Sequence, residues 1–426
     1  MKKPLHKHIG NHAKNFRTHF TKYLYERDTI FATIWVFIFI FLLSQIPLNL
    51  GVINPIKLNL KDFDFSDVSY SDLGKAQLNA GKNNKFDNRI VIVNIGHADR
   101  EGLAMMIDKA GTMNPKVMAL DVLFYGEKDP RQDSLLSEVF KRNQNLIAAN
   151  QLLPSGPDGD TIVTAGDYIK TASKYAFVNF FTDSLASIRY YEPFEKDYQK
   201  KLFKSFTSAI VEAYDSTAYK KLRKKGNSKT LINYSRSLIQ YQLVEWQDLM
   251  MDGIDSSLLS GKIVLFGYIN NADDNISDKD DISDKYFTPM NSRFYGKSVP
   301  DMQGIVIHAN IISMVLDDNY VKKLPSWANI LIAVLICWLH MSFFVRYYLE
   351  SHIWFHLVAK IAQVLSAIFF VWLGIYLFDQ YRLKVDLKLS LIVIVMAVDV
   401  IYFYEAWAVW MHKKYKYHTV FKPHNH

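Results

Sequence analysis

RIVIVNIGHADREGLAMMIDKAGTMNPKVMALDVLF, residues 89–124, sets two apolar β-branched runs on either side of an amphipathic segment. Arg89–Ile95 is too continuous for a half-exposed strand and reads as one covered on both faces, as in a parallel sheet. Asp99–Gly111 reads as a helix, with Asp99 placed to cap its start and a glycine at its end. Lys116–Phe124 is a second buried strand, Pro130–Arg142 a second helix and Asn145–Leu153 a third strand. This alternation predicts an α/β domain with a mixed, mostly parallel sheet and flanking helices.

Outward from this core the chain becomes strongly apolar. Four segments meet the requirement of roughly 20 residues for crossing a bilayer. They are 29–50, 326–346, 353–378 and 388–411. Trp327 and Trp354 sit at their edges, where an aromatic belt is expected. The layout predicts a basic tail (1–28), a large domain (51–325) and a short tail (412–426). Lys2, Lys3, Lys7, Lys14, Arg17, Lys22 and Arg27 precede the first span, and Lys413, Lys414, Lys416 and Lys422 follow the last. With four crossings, the positive-inside rule puts both termini in the cytoplasm and the domain outside it. The turn carrying Arg346 is then cytoplasmic. The turn 379–388, with Arg382, Lys384 and Lys388, is outside, against the rule. The first span is too long for a signal-peptide core and has no small-residue cleavage site, so it reads as an uncleaved anchor.

The net charge of +8 is accounted for by those tails, which removes the main reason to suspect nucleic-acid binding. The single cysteine, Cys337, lies in the second span, so the exported domain has no disulfide and depends on its core. No G-x-S-x-G elbow, cysteine nucleophile or H-E-x-x-H pair is present. An enzyme is therefore not expected, and neither is a cofactor.

The middle of the domain is less regular. Residues 51–73 read as extended and polar. Tyr175–Phe181 and Ser187–Phe194 suggest a hairpin around 182–186, Lys201–Lys225 a helix, and Lys262–Tyr268 another buried strand. Gly304–Asp317 reads as a helix leading toward the second span.

Several pieces in this order carry a resemblance: Arg89–Ile95, then NPKVMALDVLF with acidic and proline residues behind it (Asn114–Pro130). Next come Phe177, Asn179, Asp183 and Arg189, SFTSAI at Ser205–Ile210, GKIVLFG at Gly261–Gly267, TPM at Thr288–Met290, and GIVIHANIISMVL at Gly304–Leu316. Together with one helix before and three after, covering about residues 55–410, they resemble the CHASE2 domain family of extracytoplasmic sensory modules. The resemblance implies a receptor of the bacterial inner membrane with a periplasmic domain. Two departures stand out. Members commonly carry acidic residues just after the first core strand, where this chain has Gly96, His97 and Ala98. Members also often continue into a kinase, cyclase or other signalling domain. Here only a short tail follows, so the output is expected on another polypeptide.

In open α/β sheets ligands bind beyond the carboxyl ends of the strands. Those ends supply Asn94, His97, Asp99 and Asp121 as candidate ligand contacts, with Gly96, Gly267 and Tyr268 beside them. For Asp99 the helix-cap role is the favoured reading. Asp121 interrupts an apolar strand and needs a cation or several donors to stay ionised; Arg189 is the candidate, as ion-pair partner or further ligand contact. His308 falls on the apolar face of its helix, as a core histidine or a ligand, with no second histidine to complete a zinc pattern. Asp273, Asp274, Asp278, Asp280, Asp281 and Asp284 crowd one loop but lack the glycine and glutamate of a calcium loop, so a solvated segment is expected and no metal. Ionisable residues in membrane spans are costly and mark partners or functions. His340, Lys360 and Glu405 fall at similar depth and are expected to cluster, with snorkelling of Lys360 as the alternative. Asp399 is expected deeper, beyond Lys360 and satisfied by Gln363 or Ser366, by another subunit, or as part of an ion path. The readings carried forward are a receptor component signalling through a separate output protein, or an assembly subunit of an envelope complex. Either needs the lipid bilayer and a protein partner, and is compatible with a homo-oligomer.

Overall fold

A computed structural model describes residues 22–45, 64–71, 86–155, 161–172, 174–180, 187–197, 200–227, 229–251, 253–270, 284–291, 300–350 and 352–421. The chain divides into two compact units, Asp62–Val321 and the remainder, Met1–Lys61 with Lys322–His426. In chain order the main elements are α1 (Arg27–Ser44), β1 (Asp87–Asn94), α2 (Arg100–Gly111), β2 (Val117–Leu120), α3 (Pro130–Arg142) and β3 (Leu146–Ser155). They continue with β4 (Thr161–Ala165), β5 (Lys174–Phe177), α4 (Phe206–Tyr214), α5 (Ser216–Lys225), β6 (Tyr241–Glu245) and α6 (Trp246–Met250). The last are β7 (Ile263–Gly267), α7 (Gly304–Leu316), α8 (Ser326–Glu350), α9 (His352–Tyr381) and α10 (Lys388–Tyr415).

The 62–321 unit is built on one seven-stranded sheet in the order β6-β1-β7-β2-β3. Beyond β3 its first half pairs in parallel with β5, and its second half is antiparallel to β4. All other pairings along the sheet are parallel, with Ile90 opposite Ile263 and Val264 opposite Met118. The expected mixed, mostly parallel sheet is present. Its strands are apolar throughout because both faces are covered. Val91, Val93, Met118, Leu120, Val264 and Phe266 point into the core shared with α2 and α3. Their neighbours Ile90, Ile92, Ala119 and Leu265 are equally buried and, by the two-residue period of a strand, face the opposite side, where α4 and α7 pack. Gly267 permits that packing: a Cβ there would come within 2.7 Å of Ile305 on α7. Residues 304–315 of α7 are all buried, so this helix is enclosed rather than amphipathic.

Three readings of the middle region are corrected. Tyr175–Phe194 is not a hairpin: β5 joins the main sheet, and Tyr190–Tyr191 pairs with Thr230–Leu231. Lys201–Lys225 is a short strand and two helices, because Ser205 caps α4 while the Asp215 carboxylate accepts from the Thr217 and Ala218 amides and starts α5 afresh. The stretch read as extended contains a helical turn at 66–71; the rest of 51–73, the turn 182–186 with Asp183, and Asp273, Asp274, Asp278, Asp280 and Asp281 lie outside the described residues.

In the other unit, α1, α8, α9 and α10 are each long and apolar enough to cross a membrane. Ala32 and Val36 of α1, Cys337 and Phe344 of α8, and Ala397, Tyr404 and Ala408 of α10 share one core, with Phe355 and Ala359 of α9 at its edge. Of the four helices, α9 is the least buried. Arg346 lies within α8, paired with Glu350 one turn on, rather than in a turn.

Candidate ligand-binding site at the strand ends

The residues that end the parallel strands separate into structural and unsatisfied groups. Asn94 is structural. Its side-chain amide donates to Glu245 at the end of β6 (2.8 Å), and its carbonyl accepts from the amides of Gly96 (3.1 Å) and Ile269 (3.0 Å). One asparagine thereby ties together the exits of β1, β6 and β7. Gly96 turns the chain with φ +53°, a conformation that glycine adopts without penalty. His97 is exposed, its ring 5.2 Å from that of Tyr268. Asp99 is exposed and caps α2 by accepting from the Gly102 amide (2.9 Å), with its other oxygen held by Gln132.

Asp121 differs. Its backbone amide donates to Phe266 (2.9 Å), but its carboxyl has no hydrogen bond or ion pair among the described residues. The expected partner is elsewhere: Arg189 grips Asp67 through both guanidinium nitrogens, one of them at 2.9 Å. Asp67 lies 122 residues away, in a stretch without sequence periodicity. Burial still holds its carboxyl up at about 6, against the pull of Arg189. Asp121 instead faces Asp284. Burial pushes the Asp121 carboxyl up to about 8, with the charge of Asp284 adding to the shift. Burial alone raises Asp284 to about 6.

Between these carboxyls lies an open cavity of about 520 Å³, lined on one side by Ile95, Asp121, Gln151, Asn179, Phe180 and Tyr268 and on the other by Asp284, Tyr286, Gly304 and His308. His308 is 4 % exposed, stacks on Phe180, and its Nδ1 has no hydrogen-bond partner. Burial depresses its pKa to about 3, so the ring is neutral. Asn179 braces the wall by exchanging two bonds with the Leu152 backbone (2.8 and 2.9 Å). Among the described residues, no three His, Cys, Asp or Glu side chains are grouped to hold a metal.

Sequence reasoning therefore named Asp121 and the end of the sheet where this cavity lies, and named His308 without placing it in the cavity. It did not foresee that Asp284, at the edge of an acidic loop, returns to face Asp121. Nor did it find Asp301, which the Thr288 amide holds at 2.7 Å together with the Thr288 hydroxyl, giving the TPM segment a structural role.

In the membrane unit the expected cluster of His340, Lys360 and Glu405 does not form. Gln363 donates to the carbonyls of Ile394 (2.6 Å) and Val395 (2.8 Å), and His356 meets the Tyr402 hydroxyl. This antiparallel register brings Lys360 level with Asp399, 3.6 Å away, and not with Glu405. It also uses Gln363, which was expected to satisfy Asp399. Glu405 accepts from the Tyr348 hydroxyl (2.6 Å), and His340 Nδ1 lies 2.8 Å from the Ile336 carbonyl one turn back. A group that sequence reasoning missed is Asp28, fully buried at the start of α1. It accepts from the Tyr404 hydroxyl (2.6 Å), the Thr419 hydroxyl (3.0 Å) and the Val420 amide (2.6 Å). The segment after α10 thus folds back onto α1.

No curated protein and no solved structure matches the chain. The family model of the CHASE2 domain matches residues 94–343, running from the end of β1 into α8. That is more than half of the 426 residues, and it takes in the sheet apart from β1, the cavity and α7: the chain belongs to the CHASE2 family of sensory domains.

Proposed function

We propose that this chain is a receptor component of a bacterial inner membrane, with both termini cytoplasmic. Its 62–321 unit lies outside the cytoplasm, recognises a ligand there, and signals through a separate output protein. The observation that carries this reading is the cavity at the strand ends, the position where open α/β sheets bind ligands. The desolvated, unpaired carboxyl of Asp121 is costly in an unliganded fold and is compensated when a ligand arrives. The orientation is supported by the basic residues flanking α1 and α10. A binding role is supported by membership of a family of sensory domains.

One observation favours the second reading, an assembly subunit. Lys360 and Asp399 are both more than half exposed on helices built to cross a bilayer, where a partner helix would relieve the cost of an uncovered ion pair. Affinity purification from gently solubilised membranes separates the readings. A co-eluting kinase, cyclase or other signalling protein supports the receptor, and an envelope-assembly protein supports the subunit. Recovery of the chain alone argues against both.

A further inference from the structure

The cavity gathers carboxyls that no cation answers among the described residues. Asp121 and Asp284 each lack a cation and a side-chain hydrogen bond among the described residues, and His308 contributes an unpartnered Nδ1 while 96 % of its surface is covered. Three aromatic rings, Phe180, Tyr268 and Tyr286, line the same space. A group that meets the unpartnered Nδ1 of His308 must donate, and a positive one also draws the proton off Asp121 and leaves both carboxyls charged against it. An ammonium is both, having three donors and no acceptor. Aromatic faces add favourable quadrupole contact with such a cation. An anion is repelled by Asp284 and offers Asp121 no counter-charge. A metal ion fits poorly, since no third protein ligand is grouped with them among the described residues.

We infer that the cavity between Asp121, Asp284 and His308 is a binding site for a small organic amine, its protonated nitrogen bonded to the two carboxylates and its carbon skeleton against the aromatic wall. The inference rests on the receptor reading and names its ligand class. Asp121 then has opposite effects on the empty and filled protein. Without ligand its buried, unpaired carboxyl is a cost, so Asp121→Asn stabilises the fold; with ligand it is the counter-charge, so the same change removes binding.

The test uses the full chain purified in detergent, with putrescine, tyramine and ethanolamine as probes and magnesium, calcium and zinc chlorides as comparators. Thermal unfolding and calorimetric titration are read at pH 7.5. At least one amine is expected to raise the unfolding temperature saturably. Asp121→Asn and Asp284→Asn are each expected to weaken that binding about tenfold or more, as for loss of a hydrogen bond to a charged group. Asp121→Asn is also expected to unfold at a higher temperature than the parent when no ligand is present. The inference is overturned if none of the three amines binds, if a divalent metal binds with the same sensitivity to Asp121→Asn, or if both variants bind amines unchanged. If a small-molecule extract of cells stabilises the parent while the amines do not, the ligand class falls and the receptor reading stands. If neither does, the receptor reading also loses its support.

Discussion

At the scale of single residues, the account turns on carboxyls that keep their protons. The Asp121 value of about 8, against an ordinary 3.8, means that the folded protein holds a proton the unfolded chain has released. Stability from this group therefore falls as pH rises from about 4 toward 8. Asp301, held up at about 7 by burial, and Asp67 and Asp284, at about 6, slope the same way but only up to their own values. His308 runs opposite: the unfolded chain gains its proton below 6.5 while the folded ring stays neutral to about 3, so it destabilises only on the acid side. Between pH 7 and 8 Asp121 is the group of these that differs most between the two states, with a smaller share from Asp301 near pH 7. Denaturant unfolding should show stability declining there by at most about 1.4 kcal/mol per pH unit. In Asp121→Asn most of this decline should disappear, leaving the smaller slope of Asp301; an unchanged slope would show that Asp121 is not the group responsible. That Asp121 would be unusual was legible, because a charge inside MALDVLF has no solvated alternative. Its neighbour was not, since pairing Asp121 with Arg189 required a register that residue types do not encode.

At the scale of elements, legibility followed burial. β1, β2, β3, β7 and α7 could be read because strands or helices enclosed on all sides must be continuously apolar, and that leaves a strong signal. β6 went unread: YQLVE is a sheet edge, half-buried and only weakly patterned. The break at Asp215 was missed because a cap inside a helical stretch resembles an ordinary polar residue. Close packing of β7 on α7 gives a direct prediction. Gly267→Ala should cost about 1–3 kcal/mol in a denaturant titration, the usual range for overpacking, because the new methyl meets the β-branched Ile305. In the membrane unit the register of α9 on α10 predicts which charges couple. Lys360→Met with Asp399→Asn should be non-additive in detergent unfolding by about 0.6 kcal/mol, typical of polar pairs in membrane helices. Lys360→Met with Glu405→Gln should be additive; the reverse pattern would mean that the helices are shifted. Asp28→Ala should loosen α1 from α10 by about 2 kcal/mol, having removed the acceptor of several buried donors, and Asp28→Asn should recover part of that loss.

For the whole molecule, two compact units follow from two solvents. One sequence region alternates strand and helix and buries its sheet on both faces, while the other carries uninterrupted apolar helices whose outer surfaces remain apolar. The location of the sensory unit decides what it can sense. Because Cys337 is the only cysteine and is buried, single-cysteine labelling can read that location directly. In a Cys337→Ala background, Tyr125→Cys on the 62–321 unit and Tyr415→Cys at the end of α10 both place the thiol at exposed positions. With a membrane-impermeant maleimide on intact spheroplasts, the Tyr125→Cys protein should be labelled at once and the Tyr415→Cys protein only after the membrane is permeabilised. Labelling in the opposite order would put the cavity in the cytoplasm and contradict the receptor account.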